Sequence, residues 1–149
     1  MRRRSAAGFS LIELMIVIAI IMVLITMAMP SIMATLQRAH EAAAVAMLRK
    51  LHTDQEGYRI SNQEYADDFR LLDTDFGQIS QGGDVLLYSN YIFRLTALLG
   101  PGQSSLDQWE CTAEPVRARG SARYFYIDDT GIIRYEIGNF ATSSSPVFR

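Results

Sequence analysis

The sequence predicts an α+β fold in which one long N-terminal helix packs on a small antiparallel sheet of three to four strands. Three observations predict it. An uncharged, apolar run of sixteen residues extends from Leu14 to Met29. Good helix formers with apolar residues on one helical face follow, to about residue 62. Segments of strand-forming residues, separated by turn signals, occupy most of the chain after Val85.

Composition narrows the class of protein. A chain of 149 residues is one globular unit at most. Hydrophobic residues are 49% and charged residues 20%, which excludes wholesale disorder, and a single cysteine excludes an intrachain disulfide. Three of the fourteen basic residues are Arg2, Arg3 and Arg4, so the chain after Gly8 has 11 basic and 16 acidic residues. A protein that binds polyanions in general would show the opposite balance.

The N-terminal segment is a basic leader, Met1 to Ser10, followed by an apolar run broken only by Glu13. A cleaved secretory signal is disfavoured because no good small-x-small site precedes Pro30. A plain membrane anchor fits better. The 21 residues from Phe9 to Met29 suffice for a helix to cross a bilayer at about 1.5 Å per residue. The leader arginines would then hold the start of the helix in the cytoplasm.

A plain anchor does not explain Glu13. An acid in an apolar membrane helix costs on the order of 2–3 kcal/mol at the centre and less near an end. No basic residue occurs among the next two dozen, so the nearest cations are the leader arginines. The other candidate is a new α-amino group, created by cutting the chain before Phe9, one helical turn from Glu13. Alternatively, Glu13 snorkels to the membrane interface.

The segment from Arg3 to Met15 reads RRSAAGFSLIELM and resembles the class III signal of type IV pilins and type II secretion pseudopilins. The shared features are a short basic leader ending in Gly8, then Phe9, an apolar run, and an acid, Glu13, at the fifth mature residue. Pro30 falls where many of these proteins carry a helix-bending proline. The resemblance covers about the first 30 of 149 residues.

This resemblance implies a series of expectations. A prepilin peptidase would remove a leader, residues 1–8, by cutting between Gly8 and Phe9, and would methylate the amine of Phe9. Residues 9–30 would form the transmembrane and assembly helix, which crosses the inner membrane once, with the N-terminus cytoplasmic and the headpiece periplasmic. In a filament, Glu13 would neutralise the amine of a neighbouring identical or related subunit. The partners are then the peptidase, membrane lipid, other subunits and the assembly machinery, with no cofactor.

Residues 31–62 are expected to continue the helix as an amphipathic segment, with a bend near Pro30, which lacks a backbone donor. Apolar residues recur in this segment every three or four positions and so form a stripe along one face of the helix. Most of the charged residues lie outside this stripe. The stripe consists of Ile32, Leu36, Ala39, Ala43, Met47 and Leu51.

Residues 63–138 are expected to form a loop and an antiparallel-sheet headpiece. The part up to Asp84 is acidic and turn-rich, with a short helical turn around Tyr65 to Leu72. Gly131 ends a tight turn of the hairpin type, and residues 139–149 are expected to be a flexible tail. The predicted strands are Tyr91–Leu98, Gln108–Val116, Arg123–Ile127 and Ile132–Ile137.

Other candidate sites are weak. Asp128 and Asp129 are possible calcium ligands, but two carboxylates fall short of the six to eight oxygens that calcium takes, so a solvated turn is favoured. His40 and His52 lie twelve residues apart, too far to share a metal, and are expected to be solvated. Cys111 is expected to be a small buried hydrophobe.

A nucleic-acid site and an active site are both disfavoured. Arg117, Arg119 and Arg123 flank Tyr124 and Tyr126 in a basic and aromatic cluster. The acidic balance of the headpiece favours an ordinary strand edge, so DNA binding is not expected. No recognisable catalytic triad, phosphate loop or HExxH helix is found, so no enzyme is expected.

Three functions stay open. The leading one is a structural subunit of a type IV pilus-like filament. A pseudopilin of a type II secretion system shares the entire N-terminal motif. A membrane-anchored periplasmic binding module that does not polymerise is the third. Many major pilins carry a C-terminal disulfide loop, which one cysteine cannot form. However, residues 123–134 resemble the C-terminal hairpin of some disulfide-free pilin-like proteins, which favours a pilin.

Overall fold

The computed structural model describes residues 9–72, 77–99, 105–117 and 121–149. Arg2 to Gly8 and Arg119 therefore lie outside the described residues. The chain divides into two compact units, residues 1–36 and residues 37–149. One helix, α1 (Leu11–Asn62), contributes to both of them.

The first unit holds the apolar part of α1. Each described residue from Phe9 to Leu36 is exposed. The helix is long and apolar enough to cross a membrane. Pro30 lies inside the continuous helix, and the bend expected there remains a prediction. The helix begins at Leu11, two residues later than the expected start at Phe9.

The second unit contains a six-stranded antiparallel sheet in which each strand pairs with the next along the chain. The α+β class is confirmed, but the described part of the sheet has more than the three to four strands expected. The strands are β1 (Gln78–Ile79), β2 (Val85–Tyr88), β3 (Tyr91–Leu99), β4 (Leu106–Pro115), β5 (Arg123–Asp128) and β6 (Arg134–Ile137).

The four predicted strands correspond to β3–β6. The two strands that precede them, β1 and β2, have only two and four residues and are too short to show a clear alternation in the sequence.

The core lies between one face of the sheet and residues 41–55 of α1. Alternate residues of the strands point into it, with Phe93 on β3, Trp109 on β4 and Phe125 on β5 each buried. A short 3₁₀ helix, Phe69–Leu71, closes one side within the turn expected around Tyr65 to Leu72. The Asp68 side chain caps this turn by accepting a hydrogen bond from the Arg70 N–H at 2.7 Å.

The buried face of α1 differs from the predicted stripe. Met47 and Leu51 are buried as expected, but Ile32, Leu36 and Ala39 are exposed. Two polar residues lie on the buried face, and a stripe drawn from apolar residues alone could not include them. The buried helical residues are Glu41, Ala44, Val45, Met47, Leu48, Leu51 and Gln55.

The C-terminal segment, expected to be a flexible tail, instead packs against the sheet. Val147 forms an isolated antiparallel bridge with Arg134. The Phe148 ring packs edge-on against Phe125 and Tyr135. The run of small polar residues suggested fraying, whereas the Phe148 ring and backbone hydrogen bonds to residues 133–135 hold the segment on the sheet.

Candidate functional site at the start of the helix

The start of α1 is organised around Ser10 and Glu13. The Ser10 N–H donates to Glu13 Oε2 at 2.9 Å, and the Leu14 N–H donates to the Ser10 carbonyl at 3.3 Å. Ser10 is therefore the N-cap of the helix, and Glu13, three residues on, returns a side-chain bond to the cap. This is the glutamate half of a capping box. The signal was present in the sequence as Ser-x-x-Glu ahead of an apolar run, and our sequence analysis missed it.

This bond gives Glu13 a partner inside its own chain. A carboxylate in the first turn also lies at the positive end of the helix dipole, which favours negative charge. Neither the cations nor the membrane interface expected from the sequence is needed for this bond. The amide of Ser10 and the helix dipole lower the cost of the carboxylate before any amine is available. Phe9 lies directly before the cap and is exposed.

The helix beyond Glu13 presents an extended apolar surface. Large side chains from Leu11 to Met29 are between about half and three-quarters exposed. On one face, the small Ala19 leaves a shallow hollow with walls at spacings of three and four residues. Apolar surface of this extent marks contact with a membrane or with another protein. The hollow is lined by Ile16, Ala19, Ile20, Val23 and Leu24.

In the second unit, described residues of the basic and aromatic cluster contact acidic side chains. Arg123 Nη1 lies 2.7 Å from Glu41 Oε2, so its charge is neutralised by a buried carboxylate. The hydroxyl of Tyr126 donates to Glu110 Oε2 at 3.0 Å, which places a second acid beside the cluster. Arg117 is exposed. The expectation of a solvated strand edge was wrong for the residues on β5, because β5 pairs with both β4 and β6 and Tyr126 is buried.

Asp128 and Asp129 occupy a hairpin turn. The Thr130 N–H donates to Asp128 Oδ1 at 3.1 Å, and Gly131 takes the positive φ of 72° that the turn needs. No group of three or more His, Cys, Asp or Glu residues that could hold a metal ion occurs among the described residues. The Asp128 carboxylate therefore accepts a hydrogen bond within its own turn.

The two histidines are half-buried, so the prediction that they are solvated was wrong. His40 Nδ1 lies 3.2 Å from Ser89 Oγ, and the His52 ring centroid lies 6.1 Å from that of Trp109. Cys111 is fully buried, as expected, and burial raises the pKa of its thiol. The thiolate is therefore disfavoured and the group is chemically inert.

α1 has an acid in its first turn, an exposed apolar first part, and a second part that packs on an antiparallel sheet. This combination is a pilin-like arrangement. Residues 3–29 match the family described as the prokaryotic N-terminal methylation motif. This match confirms the resemblance seen in the sequence to type IV pilins and type II secretion pseudopilins.

Relatives among characterised proteins agree with the motif. The chain is 44% identical over 62 residues to the type IV wide pilus major component PilA4 of Thermus thermophilus, covering 42% of this chain and 47% of the relative. It is 27% identical over 113 residues to type II secretion system core protein G of Aeromonas hydrophila, covering 69% and 79%. The core protein G of Klebsiella michiganensis is 32% identical over 65 residues, covering 44% and 46%.

The chain thus spans about half the length of PilA4 and of the Klebsiella michiganensis protein, and about four-fifths of the Aeromonas hydrophila protein. No solved structure matches the chain significantly. The motif and the apolar helix together support membrane anchoring and assembly into a filament.

Proposed function

We propose that this chain is a structural subunit of a type IV pilus-like filament, processed between Gly8 and Phe9 and assembled through α1. The observation that carries the proposal is the acid Glu13 in the first turn of the exposed, apolar part of α1, within the matched methylation motif. In a lone anchor this carboxylate would only cap the helix, whereas subunits that stack side by side can also use it to set their register.

Cleavage would place a charged amine at Phe9, one residue before the Ser10 amide that already bonds Glu13. An ammonium and a carboxylate attract each other as two full charges in addition to forming a hydrogen bond, whereas the Ser10 N–H is a neutral donor. The amine of a neighbouring subunit therefore competes well with the Ser10 N–H for the same carboxylate. After cleavage, Glu13 would exchange its bond to its own Ser10 N–H for a bond to the amine of a neighbouring subunit. Processing would therefore supply the group that assembly needs.

The remaining partners and the topology follow from this proposal. The prepilin peptidase would cut on the cytoplasmic side, where Arg2, Arg3 and Arg4 hold the leader. The apolar part of α1 would keep the subunit in the inner membrane until the assembly machinery extracts it, and the headpiece would face the periplasm. The characterised relatives are named as a pilus component and as core secretion proteins, and no catalytic role or cofactor is proposed.

The second candidate is a pseudopilin of a type II secretion system. One observation favours it: the match to core protein G of Aeromonas hydrophila extends over 79% of that protein, against 47% of PilA4. The match to PilA4 has the higher identity, 44% against 27%. The two candidates share processing and assembly and differ in whether the filament leaves the cell.

The test is fractionation of cells that produce the chain together with a prepilin peptidase and a pilus assembly machinery. We expect processed subunit in the sheared surface fraction, an uncut precursor for Gly8→Val, and normal processing for the control Gly57→Ala. A side chain at residue 8 obstructs close approach of a protease to the backbone. Processed subunit that stays in the cell envelope but forms filaments there would favour the pseudopilin. Processed subunit found only as monomers in the inner membrane would contradict both candidates.

A further inference from the structure

The last residues of the chain lie along the outer edge of β6. The Tyr135 N–H donates to the Pro146 carbonyl at 3.0 Å, and the Phe148 N–H donates to the Ile133 carbonyl at 2.8 Å. These two bonds flank the antiparallel bridge between Arg134 and Val147. Residues 145–149, which we call the C-terminal strap, thus occupy the place where a seventh strand would pair.

Side chains also hold the strap. The Phe148 ring packs edge-on against Phe125 and Tyr135, with centroid distances of 5.5 and 5.8 Å. Arg134 Nη1 donates to the Ser145 carbonyl at 3.0 Å. Phe125 is fully buried, so Phe148 covers the edge of the core as well as the edge of the sheet.

The strap is nevertheless held by few bonds. Pro146 has no N–H and cannot return a hydrogen bond to the Tyr135 carbonyl, so the pairing stays at a single bridge. Val147 is 46% exposed. A cover of this kind can detach without unfolding the sheet, since such weakly paired segments open first.

The two edges of the described sheet are protected differently. β1 has only two residues, and very short edge strands are poor templates for pairing. β6 has four residues and carries an aromatic slot beside it, formed by Phe125 and Tyr135. Without the strap, β6 would offer both unpaired backbone groups and a site for one aromatic ring.

We propose that the β6 edge is a strand-accepting site, that the chain's own strap occupies it, and that a displaced strap is replaced by the strap of a second copy. We name the strap of a second copy as the occupant because every copy carries the same strap. Its Phe148 fits the slot, and its backbone pairs with the β6 edge. Exchange of an identical segment is the lowest-cost route to a dimer. In place, the strap blocks association through the sheet and leaves α1 as the surface through which copies associate. This inference goes beyond the proposed function and does not depend on processing.

A cysteine pair reports on which copy supplies the strap. Arg134 and Val147 face each other between the two flanking bonds, a position where Cα atoms are about 4.5 Å apart in antiparallel pairs and within disulfide range. The R134C/V147C variant therefore forms a disulfide within one chain when the strap is in place and between chains when straps are exchanged. The native Cys111 is fully buried and does not compete.

The experiment uses the full chain in detergent micelles, oxidised at a series of protein concentrations and separated on non-reducing gels. In the R134C/V147C variant we expect only the intrachain disulfide. Because F148A in every copy would also remove the ring that a second copy brings to the slot, the two cysteines are then divided between an acceptor, R134C/F148A, and a tagged donor, V147C, which keeps its Phe148. The mixture should give at least tenfold more disulfide-linked heterodimer than R134C mixed with V147C, rising with concentration. The matched control acceptor is R134C/F140A, because Phe140 is an aromatic residue near the strap that is 58% exposed and lies outside the slot. It should behave like R134C.

The proposal is overturned if R134C/F148A gives no more heterodimer with V147C than R134C or R134C/F140A does, or if V147C/F148A is as good a donor as V147C. Circular dichroism checks that each variant is folded. If F148A does not fold, F148L, which keeps an apolar side chain but loses the aromatic contacts, is measured by the same two criteria.

Discussion

The carboxylate of Glu41 and the guanidinium of Arg123 lie 2.7 Å apart and join α1 to β5 within the headpiece. Glu41 is 7% exposed and also accepts a hydrogen bond from Gln37 Nε2 at 3.1 Å. The Arg123 carbonyl in turn accepts a bond from the Tyr91 hydroxyl at 2.9 Å. The ion pair is therefore part of a connected polar network at the rim of the core.

Arg123→Ala should lower the free energy of unfolding by about 1–3 kcal/mol, because it leaves the buried carboxylate of Glu41 without its strongest partner. The control is Arg117→Ala, which removes an exposed guanidinium and should change stability by less than about 0.5 kcal/mol. Denaturant unfolding of both variants, followed by tryptophan fluorescence, gives the comparison. Equal effects of the two substitutions would show that the ion pair contributes nothing specific.

Two glycines should respond to alanine with opposite signs. Gly83 has a positive φ of 82°, and an added Cβ would collide with the Asp68 carboxylate, so Gly83→Ala should destabilise by about 2 kcal/mol or more. Gly57 lies in α1 with no atom within 4 Å of an added Cβ, so Gly57→Ala should stabilise by up to about 1 kcal/mol. Thermal unfolding of the two variants is the measurement. A shift of the same sign in both would contradict this assignment.

Stability should fall at alkaline pH. Burial raises the pKa of the Tyr91 hydroxyl above its ordinary value of 10.0, and the nearby Glu41 charge adds to the effect. Burial and the hydrogen bond to Glu110 raise the pKa of Tyr126 in the same direction. The folded state thus holds these protons more tightly than the unfolded chain. The resulting stability is fully present below about pH 10 and is lost as the pH rises towards the folded-state values.

The check is the denaturant midpoint measured from pH 7 to pH 11. We expect the midpoint to be level at the neutral end, to begin to fall near pH 9 because burial also raises the pKa of the Cys111 thiol, and to fall further above about pH 10. The fall above pH 10 should be shallower for Tyr126→Phe, which removes one of the two tyrosine protons. A midpoint that is constant to pH 11, or a slope unaffected by Tyr126→Phe, would be inconsistent with the two hydroxyls as its source.

Much of the architecture was predictable because its signals are local. The apolar run from Leu14 to Met29 and the strands corresponding to β3–β6 each carry a periodic pattern several residues long. The α+β class follows from those patterns. β1 and β2 are too short for the same signal, and their pairing depends on β3, a tertiary partner.

The rest depended on contacts between distant residues. Glu41 and Gln55 are buried because Arg123 and the Ala66 backbone satisfy them, and no pattern on the helix itself indicates those partners. The docking of Phe148 likewise depends on rings contributed by β5 and β6. At the start of α1, by contrast, the cap formed by Ser10 and Glu13 is local, and its spacing could have been recognised.

Glu13 should matter for assembly more than for anchoring. Glu13→Ala removes the carboxylate that a subunit amine would bind, so filament yield should drop at least tenfold while membrane insertion and cleavage after Gly8 continue. Ser10→Pro is the matched variant, since it removes the N–H that bonds Glu13, together with the serine hydroxyl, and leaves the carboxylate in place. Filaments counted by electron microscopy should be lost in the first variant and retained in the second. Undiminished filaments with Glu13→Ala would remove the charge-pairing argument.

The most direct measurement is the intact mass of the mature protein, purified from membranes or from filaments of cells that contain a prepilin peptidase. The account predicts a chain that begins at Phe9, lacks the eight-residue leader and carries one methyl group on its terminal amine. A mature chain that still carries Arg2, Arg3 and Arg4 would contradict it and would reduce α1 to a membrane anchor.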